Sequence, residues 1–371
     1  MGSTTAWPFE LISADSHFTE PRNLWLDHIE PEFRDRAPHV EHQEDTDVFI
    51  CDTGEMFSIG MIHGVRYKGG DVKLNGRYED VPASGWDPHA RLTEMKMDGI
   101  SAEILYPTIA MRFFTIEDVP FGNACIRAYN SWAASFCDTM PNTFKAIAMI
   151  YLDDIDAAAE ELERCKSLGL VGAMISVHPD GAEEYHGGSY DKFWATAERL
   201  RMPVSLHTAT ERRVQQNQTP TDAFLHYALV QRTLIGMIYA GVFDRFPDLQ
   251  VVSVENDVGW AGNIIERMDY VDVKGRFRNL HVGHFNERAP SEYWHNNISY
   301  TFMRDRSGIL LRDIIGLDRM MWSSDFPHGD STWPDSLSVI DEIMSDIPMA
   351  DAKMILHDNA ARLYGFKSTS D

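Results

Sequence analysis

Eight short apolar segments recur along this chain of 371 residues, and most of them precede a segment with apolar residues at helical spacing. Runs that are apolar at successive positions predict strands of a parallel sheet, because helices cover both faces of such a sheet. Eight strand and helix units in a chain of this length predict an α/β fold, the (β/α)₈ TIM barrel. The predicted strands are an opening run through Leu11 and Ile12, Ala102–Tyr106, Lys145–Leu152, Val171–Val177, Pro203–Leu206, Leu249–Val254, Ile298–Phe302 and Met320–Ser323.

A doubly wound open sheet is the alternative that the same alternation permits. A dinucleotide-binding sheet of that kind carries a glycine-rich phosphate loop after its first strand, and none follows Ile12 here. We therefore expect a single barrel domain over residues 1–371, with a β-rich excursion at about 40–85 and a polar insertion at about 272–296.

The charge balance narrows the classes of partner. Lysine and arginine number 33 against 57 acidic residues, which gives a formal net charge of -24. Such a surface repels phosphate backbones and anionic lipids, so we expect neither nucleic-acid nor membrane binding. The four cysteines are scattered without C-x-x-C spacing, and the sequence shows no secretory signal, so we expect a cytoplasmic protein with reduced thiols.

Acidic residues and histidines follow most of the predicted strands directly. In a barrel, the carboxyl ends of all strands meet at one mouth, so these side chains are expected to converge there. They are Asp15 and His17 after the first strand, His178 after the fourth, His207 after the fifth, Glu255 and Asp257 after the sixth, and Asp325 and His328 after the eighth. Glu20 lies on the turn beyond the first strand and reaches the same point only if the backbone curls.

Imidazoles with one to three carboxylates form a ligand set suited to Zn²⁺, Mn²⁺ or Fe²⁺. Because no cysteine is among them, we expect open coordination positions, as in a catalytic site. Ordinary roles stay open as well: His207 as a core histidine, His178 as part of a turn, and Glu255 as a residue that orients a histidine. His328 is a candidate ligand, proton donor or loop cap.

Three further residues are candidates for holding a substrate. Arg304, just after the seventh strand, is suited to a two-pronged contact with a carboxylate, although most such arginines are solvated or salt-bridged. Trp322 and Phe326 flank the Asp325 region and are candidates for a pocket wall, although aromatic residues of this kind more often belong to the core.

Five motifs together resemble the amidohydrolase-related family that includes aminocarboxymuconate semialdehyde decarboxylase and γ-resorcylate decarboxylase. In chain order they are ADSHFTEP, VSLHTAT, FPDLQVVSVENDVGW, MWSSDFPHGDSTWP and ILHDNAARLYGF. The resemblance implies a metal-dependent barrel with a divalent cation held by Asp15, His17, His207 and Asp325. It also implies a small-molecule substrate and assembly into homo-oligomers or with a related chain.

Two positions depart from the decarboxylases of that family. The first strand carries Asp-x-His where they have His-x-His or Glu-x-His, and the sixth strand ends in Glu255 where they commonly have a histidine. The additional Glu20 and His178 raise the expected number of metal ions from one to as many as two.

Three functional hypotheses follow. In the first, the metal and Asp325, with His328 and Glu255 as further catalytic candidates, support decarboxylation or hydrolysis of a small carboxylate-bearing substrate. In the second, the same side chains bind iron, alone or with iron or manganese, and the protein is a non-haem monooxygenase. In the third, the chain is a non-catalytic barrel subunit that supports a catalytic partner.

Overall fold

The computed structural model describes residues 7–51, 54–59, 75–179, 184–185, 187–212, 219, 221, 227–274 and 287–367. Its strands, in chain order, are β1 (Ile12–His17), β2 (His39–His42), β3 (Asp47–Cys51), β4 (Gly54–Ser58), β5 (Ala102–Tyr106), β6 (Phe144–Met149), β7 (Gly172–Ile175), β8 (Val204–His207), β9 (Val251–Val254), β10 (Ile298–Phe302) and β11 (Met320–Trp322).

Eight of these strands form one parallel sheet in the order β1-β5-β6-β7-β8-β9-β10-β11. The sheet closes on itself, because Asp325 donates its backbone N–H to the carbonyl of Asp15 (3.0 Å) and His17 donates to the carbonyl of Phe326 (2.7 Å). Ser324 donates its backbone N–H to Ser13 Oγ across the same seam (2.9 Å). The predicted TIM barrel is confirmed, and the open-sheet alternative is wrong.

Helices alternate with the strands and cover the barrel. They span Leu24–His28, Pro88–Asp98, Val119–Asp138, Ile155–Ser167, Asp191–Leu200, Tyr227–Tyr239, Val242–Arg245, Gly259–Val273, Pro290–Asn297, Arg306–Leu310, Arg312–Ile315, Ser336–Ile343, Met349–Lys353 and Asn359–Tyr364, with a π-helical turn at Met354–Asp358. Several begin at an aspartate that accepts backbone N–H groups: Asp87 accepts from His89 (2.8 Å) and Ala90 (2.9 Å). Such caps satisfy amides that have no partner within the helix.

The helical region before β9 breaks at a different place from the predicted one. The sequence predicts a break near Gly236, but that helix continues to Tyr239. The break falls at Gly241, whose φ is 69°. Glycine adopts this left-handed conformation at little cost, whereas a glycine in helical conformation merely weakens the helix.

Two segments extend the barrel. The predicted β-rich excursion contains a three-stranded antiparallel sheet, β2-β3-β4. Of the predicted polar insertion, residues 275–286 lie outside the described ranges, and the remainder holds the end of helix Gly259–Val273 and the helix Pro290–Asn297. Among the described residues, no helix combines the length and the apolar composition that crossing a bilayer requires.

Register places the strand ends side by side at the mouth. His17 lies level with Tyr106 of β5, and His207 lies level with Val254 of β9. All residues of the eight barrel strands are buried except Lys145. The polar groups at the strand ends therefore lie in a largely buried mouth, in which Glu255 (24% exposed) and His328 (20% exposed) keep access to solvent.

Candidate metal centre

Two histidines face each other across the mouth. Nε2 of His17 and Nε2 of His207 lie 3.3 Å apart, and both side chains are fully buried. Nδ1 of His17 lies 2.7 Å from the carbonyl of Pro107, and Nδ1 of His207 lies 2.8 Å from the carbonyl of Thr208. A carbonyl only accepts, so each Nδ1 carries the proton. In the neutral rings, both Nε2 lone pairs are therefore directed at the same region.

Carboxylates surround these two nitrogens. Asp15 Oδ1 lies 3.5 Å from His17 Nε2 and 3.7 Å from His207 Nε2. Asp325 Oδ1 lies 3.3 Å from His17 Nε2, and Glu255 Oε2 lies 3.7 Å from His207 Nε2. No described residue donates a well-directed hydrogen bond to any of the four oxygens of the buried Asp15 and Asp325.

This donor set fits a divalent cation. Burying carboxylates and imidazole lone pairs together without donors is costly, and a cation coordinated by all of them removes that cost. Ligand atoms of Asp15, His17, His207 and Glu255 lie within 4.8 Å of one another, which is the spacing that one ion requires. The described thiols, Cys51, Cys125, Cys137 and Cys165, are outside this group.

A second group of ligand atoms overlaps the first. It consists of His17, Asp325 and His328, again within 4.8 Å. The His328 ring lies against that of His17, with centroids 4.0 Å apart. His328 Nδ1 lies 2.9 Å from Asp325 Oδ1. His17 thus belongs to both groups.

Thr108 fixes the orientation of the His328 ring. Its hydroxyl donates to the carbonyl of Phe18 (2.6 Å) and therefore accepts from His328 Nε2–H (3.0 Å). In a neutral ring, Nδ1 then has a lone pair close to Asp325. Two lone pairs at this separation require a proton or a cation between them. Burial lowers the pKa of His328 to about 4 and raises that of Asp325 to about 7, so Asp325 is the side chain that holds such a proton.

The charges of the cluster favour a proton or a cation between the Asp15 carboxylate and the His207 imidazole. Burial raises the pKa of Asp15, but the adjacent imidazoles more than offset this and hold that pKa far below its ordinary value. Burial lowers the pKa of His207, but Asp15 and Glu255 outweigh it and raise that pKa to about 9. For Asp325, burial dominates and raises the pKa to about 7.

Backbone strain concentrates at the same mouth. Glu255, Asp257 and Asp325 have φ values of 54°, 50° and 56°. Residues with a Cβ adopt this left-handed region only when their surroundings enforce it, and such residues cluster at functional sites. At Glu255 and Asp325 this backbone accompanies carboxylates that reach the imidazoles, whereas the predicted Asp257 is exposed and belongs to neither ligand group.

Two of the predicted ligands lie elsewhere. Both Glu20 oxygens accept backbone N–H groups, from Thr108 (3.1 Å), Ile109 (3.0 Å) and Ala110 (3.0 Å). His178 Nδ1 lies 3.0 Å from Thr233 Oγ1, and its Nε2 lies 3.4 Å from Glu184. The structure does not bring either side chain into the ligand groups, since other partners already occupy their polar atoms.

The three residues predicted to hold a substrate also occupy separate environments. Arg304 is exposed, and Trp322 is fully buried within β11. The ring of Phe326 packs under the guanidinium of Arg91 (4.5 Å) and beside Trp333, with centroids 5.4 Å apart.

Sequence reasoning missed the groups that orient the ligands. They are the Pro107 and Thr208 carbonyls, the Thr108 hydroxyl, and Arg91, which donates to the His17 carbonyl (2.7 Å). Thr108 had a detectable signal, because it lies two residues beyond the end of the second barrel strand. Backbone carbonyls leave no trace in residue types.

Comparison with known proteins identifies the relatives. The sequence model described as Amidohydrolase matches residues 15–366. The chain is 28% identical to gamma-resorcylate decarboxylase of Rhodococcus jostii (strain RHA1), over 78% of this chain and 94% of that protein. The resemblance stated from the five motifs is confirmed.

Solved structures share the barrel. Amidohydrolase map2389c from Mycobacterium avium subsp. paratuberculosis K-10 superposes with a TM-score of 0.78 at 20% identity, covering 97% of this chain and 100% of that one. Dihydroxybenzoic acid decarboxylase from Polaromonas sp. JS666, solved with manganese and 2-nitroresorcinol, gives a TM-score of 0.63 at 22% identity, covering 96% and 97%. The family match runs from the first ligand-bearing strand to the last helix, and this chain therefore belongs to the amidohydrolase family.

Proposed function

We propose that this protein is a divalent-metal-dependent decarboxylase of a small hydroxyaryl carboxylate. The observation that carries the proposal is the pair of imidazole lone pairs 3.3 Å apart, bordered by the buried carboxylates of Asp15 and Asp325, which lack directed donors. Its relatives named as gamma-resorcylate decarboxylases support the choice of reaction and of substrate class.

Asp15, His17, His207 and Asp325 are the proposed ligands, with Glu255 beside His207. Mn²⁺ is the preferred candidate ion, since relatives have been solved with manganese, and Zn²⁺ and Fe²⁺ suit the same donors. When bound, such an ion supplies Lewis acidity that polarises a substrate oxygen. The chain itself buries both imidazoles and fixes them through their Nδ1 hydrogen bonds.

His328 and Asp325 are proposed to move the proton that the reaction needs. A proton passes from this pair to the ring carbon that bears the carboxylate. The bond from that carbon to the carboxyl carbon breaks, its electron pair restores the ring, and carbon dioxide leaves. Solvent then returns a proton to the pair. His328 is placed for this step because its Nδ1 lies 2.9 Å from Asp325 and Thr108 fixes its ring.

A monooxygenase is the second candidate, and the presence of a second ligand group beside the first favours it. His17 serves only one of the two groups, because its Nδ1–H is bonded to the Pro107 carbonyl and leaves Nε2 alone for an ion. One group holds Glu255 and His207, the other holds Asp325 and His328, so the mouth offers donors for two ions. The sixth strand ends in Glu255, a carboxylate, which adds to a donor set suited to iron.

Metal analysis and anaerobic assay distinguish these candidates. We expect about one equivalent of divalent metal per chain, and carbon dioxide release from 2,6-dihydroxybenzoate or a related hydroxybenzoate that is unaffected by removing oxygen. His207→Ala should lose the metal and lower kcat/KM at least about 100-fold. His178→Ala, a histidine outside the cluster, is the matched control and should keep both.

Other outcomes point elsewhere. Two equivalents of metal that include iron, with oxygen consumption, would replace the decarboxylase by the monooxygenase. A chain without metal, for which His207→Ala changes no measured property, would leave the supporting subunit as the remaining hypothesis.

We also propose a cytoplasmic location and assembly into a homo-oligomer, with pairing to a related chain as the alternative. The four cysteines support the location, since all are buried thiols outside any disulfide, as reducing compartments maintain them. Light scattering on the purified protein should give a mass above 42.2 kDa, the mass of one chain.

A further inference from the structure

One short loop contacts two of the imidazoles at the mouth. It follows β5 and runs from Pro107 to Ala110. The Pro107 carbonyl accepts from His17 Nδ1–H (2.7 Å), and the Thr108 hydroxyl accepts from His328 Nε2–H (3.0 Å). The position of this loop therefore sets the ring orientation of a proposed metal ligand and of the proposed proton donor.

The Glu20 carboxylate accepts hydrogen bonds from the backbone amides of this loop. Its Oε1 accepts from the amides of Thr108 (3.1 Å) and Ala110 (3.0 Å), and its Oε2 accepts from Ile109 (3.0 Å). The Glu20 side chain is fully buried. Three successive amides directed at one carboxylate form a cradle that no neutral side chain of the same length reproduces, because an amide offers only one acceptor oxygen.

We propose that Glu20 is a positioning residue, whose carboxylate fixes loop 107–110 and thereby orients His17 through Pro107 and His328 through Thr108. The part that concerns His328 rests on the proposed decarboxylase function, whereas the part that concerns His17 rests on metal binding alone.

The two contacts of the loop predict separable effects. Losing the Glu20 cradle disturbs both imidazoles, so metal affinity and turnover fall together. Losing only the Thr108 hydroxyl frees His328 and leaves the Pro107 contact to His17 in place, so turnover falls while metal affinity is kept. A residue that merely stabilises the fold has no such selectivity.

The first experiment measures the Mn²⁺ dissociation constant of the metal-stripped protein by competition with a chelating dye. Glu20→Gln should raise it about 10- to 100-fold, the usual effect of losing a group that orients a ligand. Thr108→Val should change it less than about 3-fold. The control variant is Asp98→Asn. Asp98 is another buried acid and accepts the backbone N–H of Ser336 (2.9 Å), so its replacement should leave the Mn²⁺ dissociation constant at the wild-type value.

Folding is checked by circular dichroism before each titration. If Glu20→Gln does not fold, Glu20→Asp replaces it, since it keeps the acceptors but is one methylene too short for all three amides. A folded Glu20 variant with the wild-type dissociation constant would overturn the proposal, as would an equal rise for Asp98→Asn. This titration needs no substrate, so its result holds even if the wild-type protein decarboxylates nothing.

The second experiment compares Thr108→Val with Thr108→Ser in steady-state kinetics. Valine matches threonine in shape but has no hydroxyl, and we expect kcat to fall about 10- to 100-fold with KM within about 3-fold. Serine restores the hydroxyl and should return kcat to within about 3-fold of wild type. Equal kcat values for the valine and serine variants would show that the hydroxyl does not act through His328.

Discussion

Arg91 supports the barrel seam through a network of buried contacts. It is 1% exposed and donates to Glu103 through Nε (2.7 Å) and Nη2 (3.1 Å). It also donates to the carbonyls of His17 (2.7 Å) and Phe326 (3.2 Å), one on each side of the seam. Arg91→Met should lower the free energy of unfolding by about 3–5 kcal/mol, because it leaves the Glu103 carboxylate buried and unpaired.

Urea unfolding followed by tryptophan fluorescence measures this loss. Arg199→Met is the matched control, since the Arg199 and Glu163 side chains are 57% and 54% exposed and their pairing adds little. A similar loss in both variants would mean that the seam network has no special role.

Residue types at strand ends carried most of the information about the site. His17, His207, Asp15 and Asp325 come together as the strand positions predict, because barrel topology alone brings strand ends to one mouth. Glu20 does not, since its acceptors are satisfied by backbone amides of another loop. Whether a carboxylate faces amides or a metal depends on the path of that loop, which residue types do not encode.

At the scale of elements, Asp98 links two neighbouring helices and makes their packing depend on pH. It accepts from the backbone N–H (2.9 Å) and the hydroxyl (2.5 Å) of Ser336, where helix Ser336–Ile343 begins. Burial, outweighing these hydrogen bonds, raises the pKa of Asp98 to about 6 from 3.8. The folded state therefore keeps a proton that the unfolded chain releases as pH rises from about 4 to 6.

The sign of the effect follows from this difference. The free energy of unfolding falls as pH rises from about 4 to 6 and stays constant above pH 6. The total loss is up to about 3 kcal/mol, because the pKa of Asp98 is raised by about two. Asp98→Asn removes the titration and keeps an acceptor for the Ser336 amide. Unfolding in urea at pH 4, 5, 6 and 7 should show wild type losing stability relative to the variant over this range. A constant difference between the two would refute the assignment.

Element boundaries could be predicted where composition changes abruptly. Strands Ala102–Tyr106 and Ile298–Phe302 have the predicted bounds, since Ser101 and Pro107 flank the first run and Asn297 precedes the second. The predicted helix break near Gly236 is wrong, and the break falls at Gly241. The two glycines are equivalent by residue type, and only packing decides which one leaves the helix.

At the scale of the whole molecule, the proposed metal would link the first strand to the fifth and the last of the barrel. Asp15 and His17 lie on β1, His207 ends β8, and Asp325 follows β11, so one ion would hold together segments separated by most of the sequence. The unfolded chain presents no such group of ligands, and binding therefore stabilises the folded state alone.

At a free Mn²⁺ concentration of 100 times the dissociation constant, the free energy of unfolding should rise by about 2.7 kcal/mol. Thermal unfolding across a Mn²⁺ titration measures this gain, which His207→Ala should lose and His178→Ala should keep. An equal gain in His207→Ala would place the stabilising ion elsewhere, because that variant retains every carboxylate of the acidic surface and lacks only the imidazole facing His17.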